Sequence, residues 1–520
     1  MPGWCRDRRR RWGTCTVIVE CGCQHAIGLS GVVRGLPEAE LLGDARILEV
    51  CTDSRRVRPG ALFCAVPGTR RDGRGYAAEA VAAGASALLV QRFVDLPVAQ
   101  VRVPAVRPAV GPVAAELHGN PAGDLAIAAV TGTNGKTTAV HLIEAALAAG
   151  GLRTGLSSTV ESRLPGWRSP ASLTTPDAVD LQRLLCRMRT AGVQAAVLEV
   201  SSHAIDQHRI DPVRAEVTVF TNLSPEHLDY HGTVEQYFAT KAALFTPERC
   251  RRAVVNIDDP WGRRLAAQAR VPTVTVGRSP RADVRVEEVG STFDGLRVVF
   301  REGGAPVALT VPAAIGGRHA TGLAAAYAAA RVLGAPKSAA VDGLSAALPP
   351  GRFQRVDVGQ PFLAVVDFAH TPTAVADLIA TARRISRGRV HLVVGCAGHR
   401  DRFSRPDVGR AALAADTAVF TADDPGEEDP AEITAQVLTG TIGFSGGEFA
   451  VEHDRRAAIA AAVERAGPGD VVLVAGRGHE RYQAINGVRR PFDDVEVVTA
   501  ALAAAGWAGP PVQRRGRTCG

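Results

Sequence analysis

An α/β fold of open, mostly parallel sheets arranged as three domains is predicted by three features of this 520-residue chain. Short apolar runs alternate with amphipathic helical stretches along most of its length, the pattern of strands joined by crossover helices. One run is separated from the helix after it by a glycine-rich loop. The composition, 46% hydrophobic but only 5% aromatic, suits sheets packed by Val, Leu, Ile and Ala, and the length allows several domains with ample core.

Glycine and proline punctuation divides the chain. Residues 1–27 read as a disordered or misannotated extension, 28–106 as an N-terminal α/β domain, 107–350 as a central domain, 351–511 as a third domain and 512–520 as a basic tail. In the central domain, residues 125–130 read as a buried parallel strand and 137–149 as an amphipathic helix, with further strands at 195–200, 217–221 and 253–257. In the third, runs at 363–367, 390–395, 418–421 and 471–475 alternate with helical patterns, as in a doubly wound, Rossmann-like sheet.

The formal net charge of +7 sits in the tails. Residues 6–12 hold five arginines and one aspartate, and Arg514, Arg515 and Arg517 supply the remainder. The body is balanced, so no basic face for nucleic acid is expected. Ten cysteines lack paired metal-ligand spacing and a secreted framework, and reduced thiols in a cytoplasmic protein are the expectation. No apolar stretch resembles a signal peptide, and the Ala-rich run at 323–333 is interrupted by Arg331, so neither export nor membrane spanning is expected.

Lysine is nearly absent: of 60 basic side chains only Lys136, Lys241 and Lys337 are lysines. Arginine replaces lysine as a surface cation, but it does not deprotonate to a nucleophilic amine, and its flat fork does not act as a compact point charge between phosphates. Lys337, after Pro336, is expected in a loop and needs no special role. Lys136 lies in Thr131-Gly-Thr-Asn-Gly-Lys-Thr-Thr138, between the predicted strand and helix. There backbone N–H groups and the helix N-terminus face an anion, Lys136 reaches the β- and γ-phosphates, and the Thr137 hydroxyl ligates Mg²⁺. The general pattern starts with glycine where this chain has Val130, so the loop is a variant.

That variant resembles the Mur ligase superfamily. Thr174-Thr-Pro-Asp177, Glu199-Val-Ser-Ser-His203, Gln207-His-Arg209 and residues 221–231 (TNLSPEHLDYH) are similar to successive central motifs of its MurE-type members. Asp53-Ser-Arg55 with Gly68 and Asp72-Gly73 resembles their uridine-binding domain. Asp367-Phe-Ala-His-Thr-Pro372, Gly398-His-Arg-Asp401, Asp423-Asp-Pro425 and Gly476-Arg-Gly-His-Glu480 resemble their C-terminal domain. The resemblance runs from about residue 29 to 505.

It implies a monomeric enzyme that uses ATP and two Mg²⁺ ions to activate a carboxylate as an acyl phosphate, which an amino acid's amine then attacks. The implied substrate is UDP-N-acetylmuramoyl-L-alanyl-D-glutamate, a peptidoglycan precursor. ATP would be bound by Gly132, Thr133, Asn134, Gly135, Lys136, Thr137, Thr138 and Asn222, with Asp367 and His370 closing over it. Catalysis would rest on Lys136, Glu199, His227 and Lys241, with Thr137, Glu199, His227 and a CO₂-derived carbamate on Lys241 as metal ligands. Ser54, Thr69 and Arg70 would meet the nucleotide-sugar, and Thr174, Thr175, Ser201, Gln207 and Arg209 its peptide arm. Asp229 and His231 are expected to order their loop.

The incoming amino acid would meet Arg400, Asp423, Asp424, Gly476 and Glu480. Glu226, Arg477 and His399 depart from the usual Asp, Lys and Asp. In enzymes of this type that use meso-diaminopimelate, an arginine follows the proline of the Asp-Asn-Pro motif, and here that position is Gly426. An acceptor without the distal carboxylate, such as L-lysine, L-ornithine or a small neutral residue, is therefore expected. Two alternatives stay open: a related ligase acting on another carboxylate in secondary metabolism, and a regulatory ATPase that performs no ligation. Folylpolyglutamate-synthase-like and cyanophycin-type ligases share the loop but fit the Glu199 and Gly476 motifs less well.

Overall fold

The computed structural model describes residues 26–68, 72–292, 295–311, 318–347, 349–398, 402–444 and 446–507. They fall into two compact units. One comprises the described residues up to Pro121 with Val179–Ala191, and the other Ala122–Ala178 with the described residues from Gly192 onward.

In the first unit, β1 (Glu40–Leu42), β2 (Glu49–Cys51), β3 (Ala61–Cys64), β4 (Ala85–Val90) and β5 (Ala99–Arg102) form one sheet in the order β1-β5-β4-β3-β2. Only β1 runs antiparallel. Its core takes Phe63, Leu88 and Val90, all nearly inaccessible, each worth about 1.5–3 kcal/mol on burial. Helix α1 (Val106–Leu117) belongs to this unit. So does most of the helix Ala178–Thr190, whose Arg183 pairs with Glu49 at 3.5 Å and whose Arg189 donates to the carbonyls of His118 and Gly119.

The second unit contains two sheets that carry the candidate site. Eleven strands form the larger: β6 (Ala126–Thr131), β7 (Thr154–Ser157), β8 (Glu161–Leu164), β9 (Trp167–Pro170), β10 (Ala195–Glu199), β11 (Ala215–Phe220), β12 (Cys250–Asn256), β13 (Thr273–Gly277), β14 (Val284–Thr292), β15 (Gly295–Glu302) and β16 (Ala305–Val311). Their order is β9-β8-β7-β10-β6-β11-β12-β13-β14-β15-β16, parallel from β7 to β14 and antiparallel at both edges. β6 thus stands between β10 and β11, where the strand order switches, and the chain leaves its carboxyl end into α2 (Lys136–Ala149). Such a crevice is where open α/β sheets bind ligands.

Helix α3 (Val234–Ala242) follows β11, and α4 (Arg318–Val332) and α5 (Lys337–Ala346) follow β16. Small side chains let α2, α4 and α5 pack closely. Ala324 to Ala330 are buried, and a Cβ on Gly343 would sit 2.4 Å from the Ala145 carbonyl oxygen. Lys337, expected in a loop, opens α5 instead, because Pro336 serves as its N-cap residue. Its ammonium donates to the Pro306 carbonyl at 3.2 Å.

The smaller sheet contains β17 (Gln354–Val356), β18 (Leu363–Asp367), β19 (Val390–Val394), β20 (Thr417–Phe420), β21 (Glu448–Val451) and β22 (Val471–Ala475) in the order β17-β18-β22-β19-β20-β21. All but β17 are parallel. Side chains alternate between two cores: Leu363, Val365, Leu392 and Leu473 on one face, Ala364, Val366, Val393, Val472 and Val474 on the other. The hairpin β23 (Tyr482–Ile485) and β24 (Val488–Pro491) follows β22. The predicted strands appear with ends shifted by no more than three residues.

Helices α6 (Arg455–Arg465) and α7 (Asp494–Ala504) join through a fully buried ion pair. Arg455 Nε and Nη2 donate to Asp494 at 2.8 and 2.7 Å, and Nη2 also donates to the Ala475 carbonyl. Removing one partner strands a buried charge, at a cost of about 3–5 kcal/mol. Asp494→Ala is therefore expected to lower the thermal midpoint of this part of the protein by several degrees, measured by calorimetry, whereas an exposed pair such as Arg410 and Asp407 should give almost no change on the same substitution.

Candidate active site

The phosphate loop is shaped by two glycines with positive φ. Gly132 has φ +144°, and a Cβ there would lie 2.0 Å from Thr221 Oγ1 and 3.0 Å from the Asn222 carbonyl oxygen. Gly135, at φ +82°, is the N-cap of α2. Asn222 clamps the loop from β11's end: its Oδ1 accepts from Asn134 N–H at 3.0 Å, its Nδ2 donates to the Asn134 carbonyl at 3.0 Å, and its own carbonyl accepts from Thr133 N–H at 2.9 Å. Thr221 Oγ1 donates to the Asn134 carbonyl at 2.7 Å. Gly132→Ala is expected to weaken nucleotide binding at least about tenfold while the enzyme stays folded, because the methyl overlaps Thr221 and φ leaves the favoured region. Calorimetric titration with ADP checks this.

Glu199 ends β10 with 2% exposure. Its Oε1 accepts from the hydroxyls of Thr137 and Thr159, both at 3.0 Å, and its Oε2 accepts from Thr159 N–H at 2.9 Å. Thr159 also reaches Thr174 Oγ1 at 3.2 Å. Thr175 Oγ1 donates to the Glu199 carbonyl at 2.8 Å and accepts from Ser201 N–H at 3.1 Å. Arg209 donates to Gln207 Oε1 at 2.7 Å and to the Thr175 carbonyl at 3.3 Å, and pairs with Asp177. Thr137, Thr174, Thr175, Glu199, Ser201, Gln207 and Arg209 are thus brought into one connected network.

Lys136 Nζ donates to the carbonyls of Gly132 at 3.1 Å and Thr133 at 2.8 Å. Burial lowers its pKa, and nearby Arg352 lowers it further against the pull of Glu199 and Glu226. Lys241 lies on α3 with 1% exposure and donates to the same Gly132 carbonyl at 3.0 Å. Burial, then the Lys136 charge, hold its pKa well below the ordinary lysine value. His227 adopts φ +57° and stacks edge-on against His203 with ring centroids 4.9 Å apart. His231 bonds Ser202 Oγ at 3.0 Å, and Asp229 lies in the short helix Leu228–His231.

Among the described residues no three His, Cys, Asp or Glu side chains converge as a metal site. Thr137 and Glu199 nevertheless offer hydroxyl and carboxylate oxygens side by side, hard donors that suit Mg²⁺ when phosphate and water oxygens complete its shell.

Asp367 ends β18, and its carboxylate accepts from the N–H groups of Phe353 at 2.6 Å and Ala369 at 2.8 Å. His370 bonds the Phe368 carbonyl. Thr138 lines a small cleft with Leu142, His319 and Arg352. Asp423 is buried with Oδ2 unpaired, and burial raises its pKa against the charges of Arg455 and Arg477. Gly476, at φ +112°, is required here, since a Cβ would lie 2.0 Å from Asp423 Oδ2. Arg477 is fully buried and stands 3.6 Å from Glu480, 3.9 Å from Asp423 and 4.0 Å from Asp424. Ser54 lies in the other unit, in a turn capped by Asp53. Thr69, Arg70, His399 and Arg400 lie outside the described residues.

Sequence reasoning missed Thr159, Arg352 and the Asn256 to Asp259 segment. Arg352 holds its guanidinium 4.6 Å over the Phe368 ring, leaves Nε buried without a hydrogen bond, and acts electrostatically on Lys136 and Glu199. Asn256 Nδ2 donates to the Thr221 carbonyl at 2.7 Å, and Asp259 Oδ2 accepts from Leu223 N–H at 3.3 Å, so both brace the segment that clamps the loop. Polar residues ending a buried strand were the available signal for Asn256 and Asp259.

Profiles of the Mur ligase family match three consecutive parts of the chain: its catalytic domain at residues 46–120, the Mur ligase middle domain at 130–330 and the Mur ligase, glutamate ligase domain at 351–478. The UDP-N-acetylmuramoyl-L-alanyl-D-glutamate–2,6-diaminopimelate ligase of Streptomyces coelicolor is 46% identical over 478 residues, covering 88% of this chain and 93% of that protein. The chain belongs to the Mur ligase family. Within it the chain is of MurE type, an ATP-dependent acid–amino-acid ligase. The like-named ligase of Gloeobacter violaceus is 43% identical over 90% of this chain and 95% of its own length. A solved structure of a UDP-N-acetylmuramoyl-L-alanyl-D-glutamate–2,6-diaminopimelate ligase superposes with a TM-score of 0.67 at 34% identity, covering 89% of this chain and 96% of that one. The MurF ligase of Thermotoga maritima, solved with ADP, shares the fold at 21% identity, with a TM-score of 0.61 over 88% of this chain and 97% of that one.

These relatives do not bear out the expectation of an acceptor lacking a distal carboxylate: the Mur ligases 46% and 43% identical to this chain are both named for 2,6-diaminopimelate. That expectation weighed one position alone. Gly426 has φ +63°, donates its N–H to the Ala484 carbonyl at 2.9 Å and accepts from Gly487 N–H at 3.0 Å. Its place is a backbone seat for the β23–β24 hairpin, and the buried cation Arg477 stands beside the adjoining Asp424.

Proposed function

We propose that this ligase joins 2,6-diaminopimelate to UDP-N-acetylmuramoyl-L-alanyl-D-glutamate in peptidoglycan precursor synthesis. The observation that carries the reading is the meeting of the phosphate loop with Glu199, 3.0 Å from Thr137, and with Lys241, buried against the Gly132 carbonyl. The identity to diaminopimelate ligases supports the choice of substrates.

The loop N–H groups and Lys136 bind the ATP phosphates and offset the charge that gathers as the γ-phosphoryl group moves to the substrate carboxylate. The bond from phosphorus to the bridging oxygen of ADP breaks as the carboxylate oxygen bonds to phosphorus. The amine then attacks the acyl carbon, phosphate leaves with the former carboxylate oxygen, and the amine loses its proton. Thr137, Glu199, His227 and Lys241 as its carbamate are assigned to two Mg²⁺ ions, which when bound neutralise phosphate charge. The carbamate forms when the neutral Lys241 amine bonds to the carbon of CO₂ and releases a proton, and its dry, charge-crowded setting favours the neutral amine.

Arg209, fixed by Gln207 and Thr175, is assigned to a carboxylate of the peptide arm. Asp423, Asp424, Gly476 and Glu480 are assigned to the acceptor. Asp367 and Arg352 tie the third domain to the nucleotide. The test is mass spectrometry of the products formed from ATP, Mg²⁺, the UDP-linked dipeptide and a mixed amino-acid pool. Addition of diaminopimelate is expected. Transfer of a different amino acid, or ATP turnover without any amine acceptor, would contradict the proposal.

A further inference from the structure

We propose that Tyr237 is a positioning residue that couples Lys241 to the phosphate loop, its ring holding the Lys241 side chain and its hydroxyl holding Thr133. The inference rests on the reading of Lys241 and the loop just given, and it deepens that reading.

Tyr237 and Lys241 are four residues apart on α3, so their side chains share one helix face. Lys241 Nζ stands 4.5 Å from the centre of the Tyr237 ring, and both residues are 1% exposed. The far end of the same ring reaches the loop: the Tyr237 hydroxyl lies 3.2 Å from Thr133 Oγ1. Thr133 Oγ1 also accepts from Ser224 N–H at 3.1 Å and lies 3.3 Å from the Ser224 carbonyl, to which it donates. With the threonine proton so used, the tyrosine hydroxyl is the donor in its bond to Thr133. A phenol keeps its proton at neutral pH.

Thr133 is the residue whose carbonyl accepts from Lys136 at 2.8 Å and whose N–H donates to the Asn222 carbonyl at 2.9 Å. One aromatic side chain therefore touches the lysine assigned to the carbamate and the loop residue that seats the phosphate-binding lysine. His231 and His227 lie beside the same ring, at 5.1 and 6.3 Å between ring centroids. A ring that only filled core space would be indifferent to its hydroxyl. A coupling residue is not, and phenylalanine separates the two roles because it keeps the ring.

The experiment uses the full-length enzyme and two readouts that need no turnover: calorimetric binding of β,γ-imido-ATP with Mg²⁺, and the ¹³C NMR signal of a lysine carbamate formed in ¹³C-bicarbonate. Tyr237→Phe is expected to bind the analogue about three- to tenfold more weakly, the scale of one buried hydrogen bond, with the carbamate signal intact. Thr133→Ala should weaken binding, and adding Tyr237→Phe to it should weaken it no further. Tyr237→Leu should lose the carbamate signal as well. Wild-type binding by Tyr237→Phe, or effects of the two substitutions that simply add, would overturn the role of the hydroxyl. A carbamate signal that survives in Tyr237→Leu would overturn that of the ring. A wild-type enzyme with no carbamate signal contradicts the reading of Lys241 and the ring's role with it, while the hydroxyl's role stands or falls on the binding cycle alone.

Discussion

Lys136→Ala is expected to lower the rate of amide formation about 10²- to 10³-fold at saturating ATP, the usual loss when one preorganised charge is removed from a developing transition state. The side chain leaves the first turn of α2 and folds over the loop, donating to the Gly132 and Thr133 carbonyls. Its loss deletes a point charge without touching the sheet. The circular dichroism spectrum should therefore match the wild type. Lys136→Arg should recover little, because the guanidinium fork is larger and spreads its charge over a plane. Turnover near the wild-type rate in purified Lys136→Ala would remove the phosphate loop from the mechanism.

The second large effect is expected at Lys241. Lys241→Ala should fall on the order of 10²- to 10³-fold, as for loss of a charge-stabilising group, and acetate should restore part of the rate by standing in for the carbamate. Lys241→Arg should fail as well. Arginine keeps its positive charge at every accessible pH and forms no carbamate, and at this position it would share the Gly132 carbonyl with Lys136 inside a site of 1% exposure. Full activity in Lys241→Arg would make Lys241 an ordinary cation. Both side chains donate to the same Gly132 carbonyl, so the effects of the two substitutions should not add.

Much of the fold was legible because it follows from local rules. A buried apolar run, two glycines and an amphipathic repeat place β6, the loop and α2 to within a residue of their observed ends. Glu199 was legible as the residue that closes a buried strand within a motif. Thr159 was not, since it lies in a loop after β7 with no pattern of its own, and only the sheet order that sets β7 beside β10 brings its hydroxyl to Glu199. Arg352 was hidden for a similar reason, its nearness to Lys136 and Glu199 being a tertiary fact. The charge argument at Gly426 left out two things that only the structure shows, the hairpin seated on its backbone and the neighbouring Arg477. Lys337 shows the same limit on a smaller scale, since it was expected in a loop after Pro336 and instead opens a helix.

If ATP activates the substrate carboxylate as an acyl phosphate, one carboxylate oxygen leaves with the phosphate. UDP-N-acetylmuramoyl-L-alanyl-D-glutamate labelled with ¹⁸O in the reacting carboxylate tests it directly, through the mass of the phosphate released. One ¹⁸O per phosphate, formed in step with the amide and only when diaminopimelate is present, is the predicted result. Unlabelled phosphate alongside normal amide formation would contradict the mechanism.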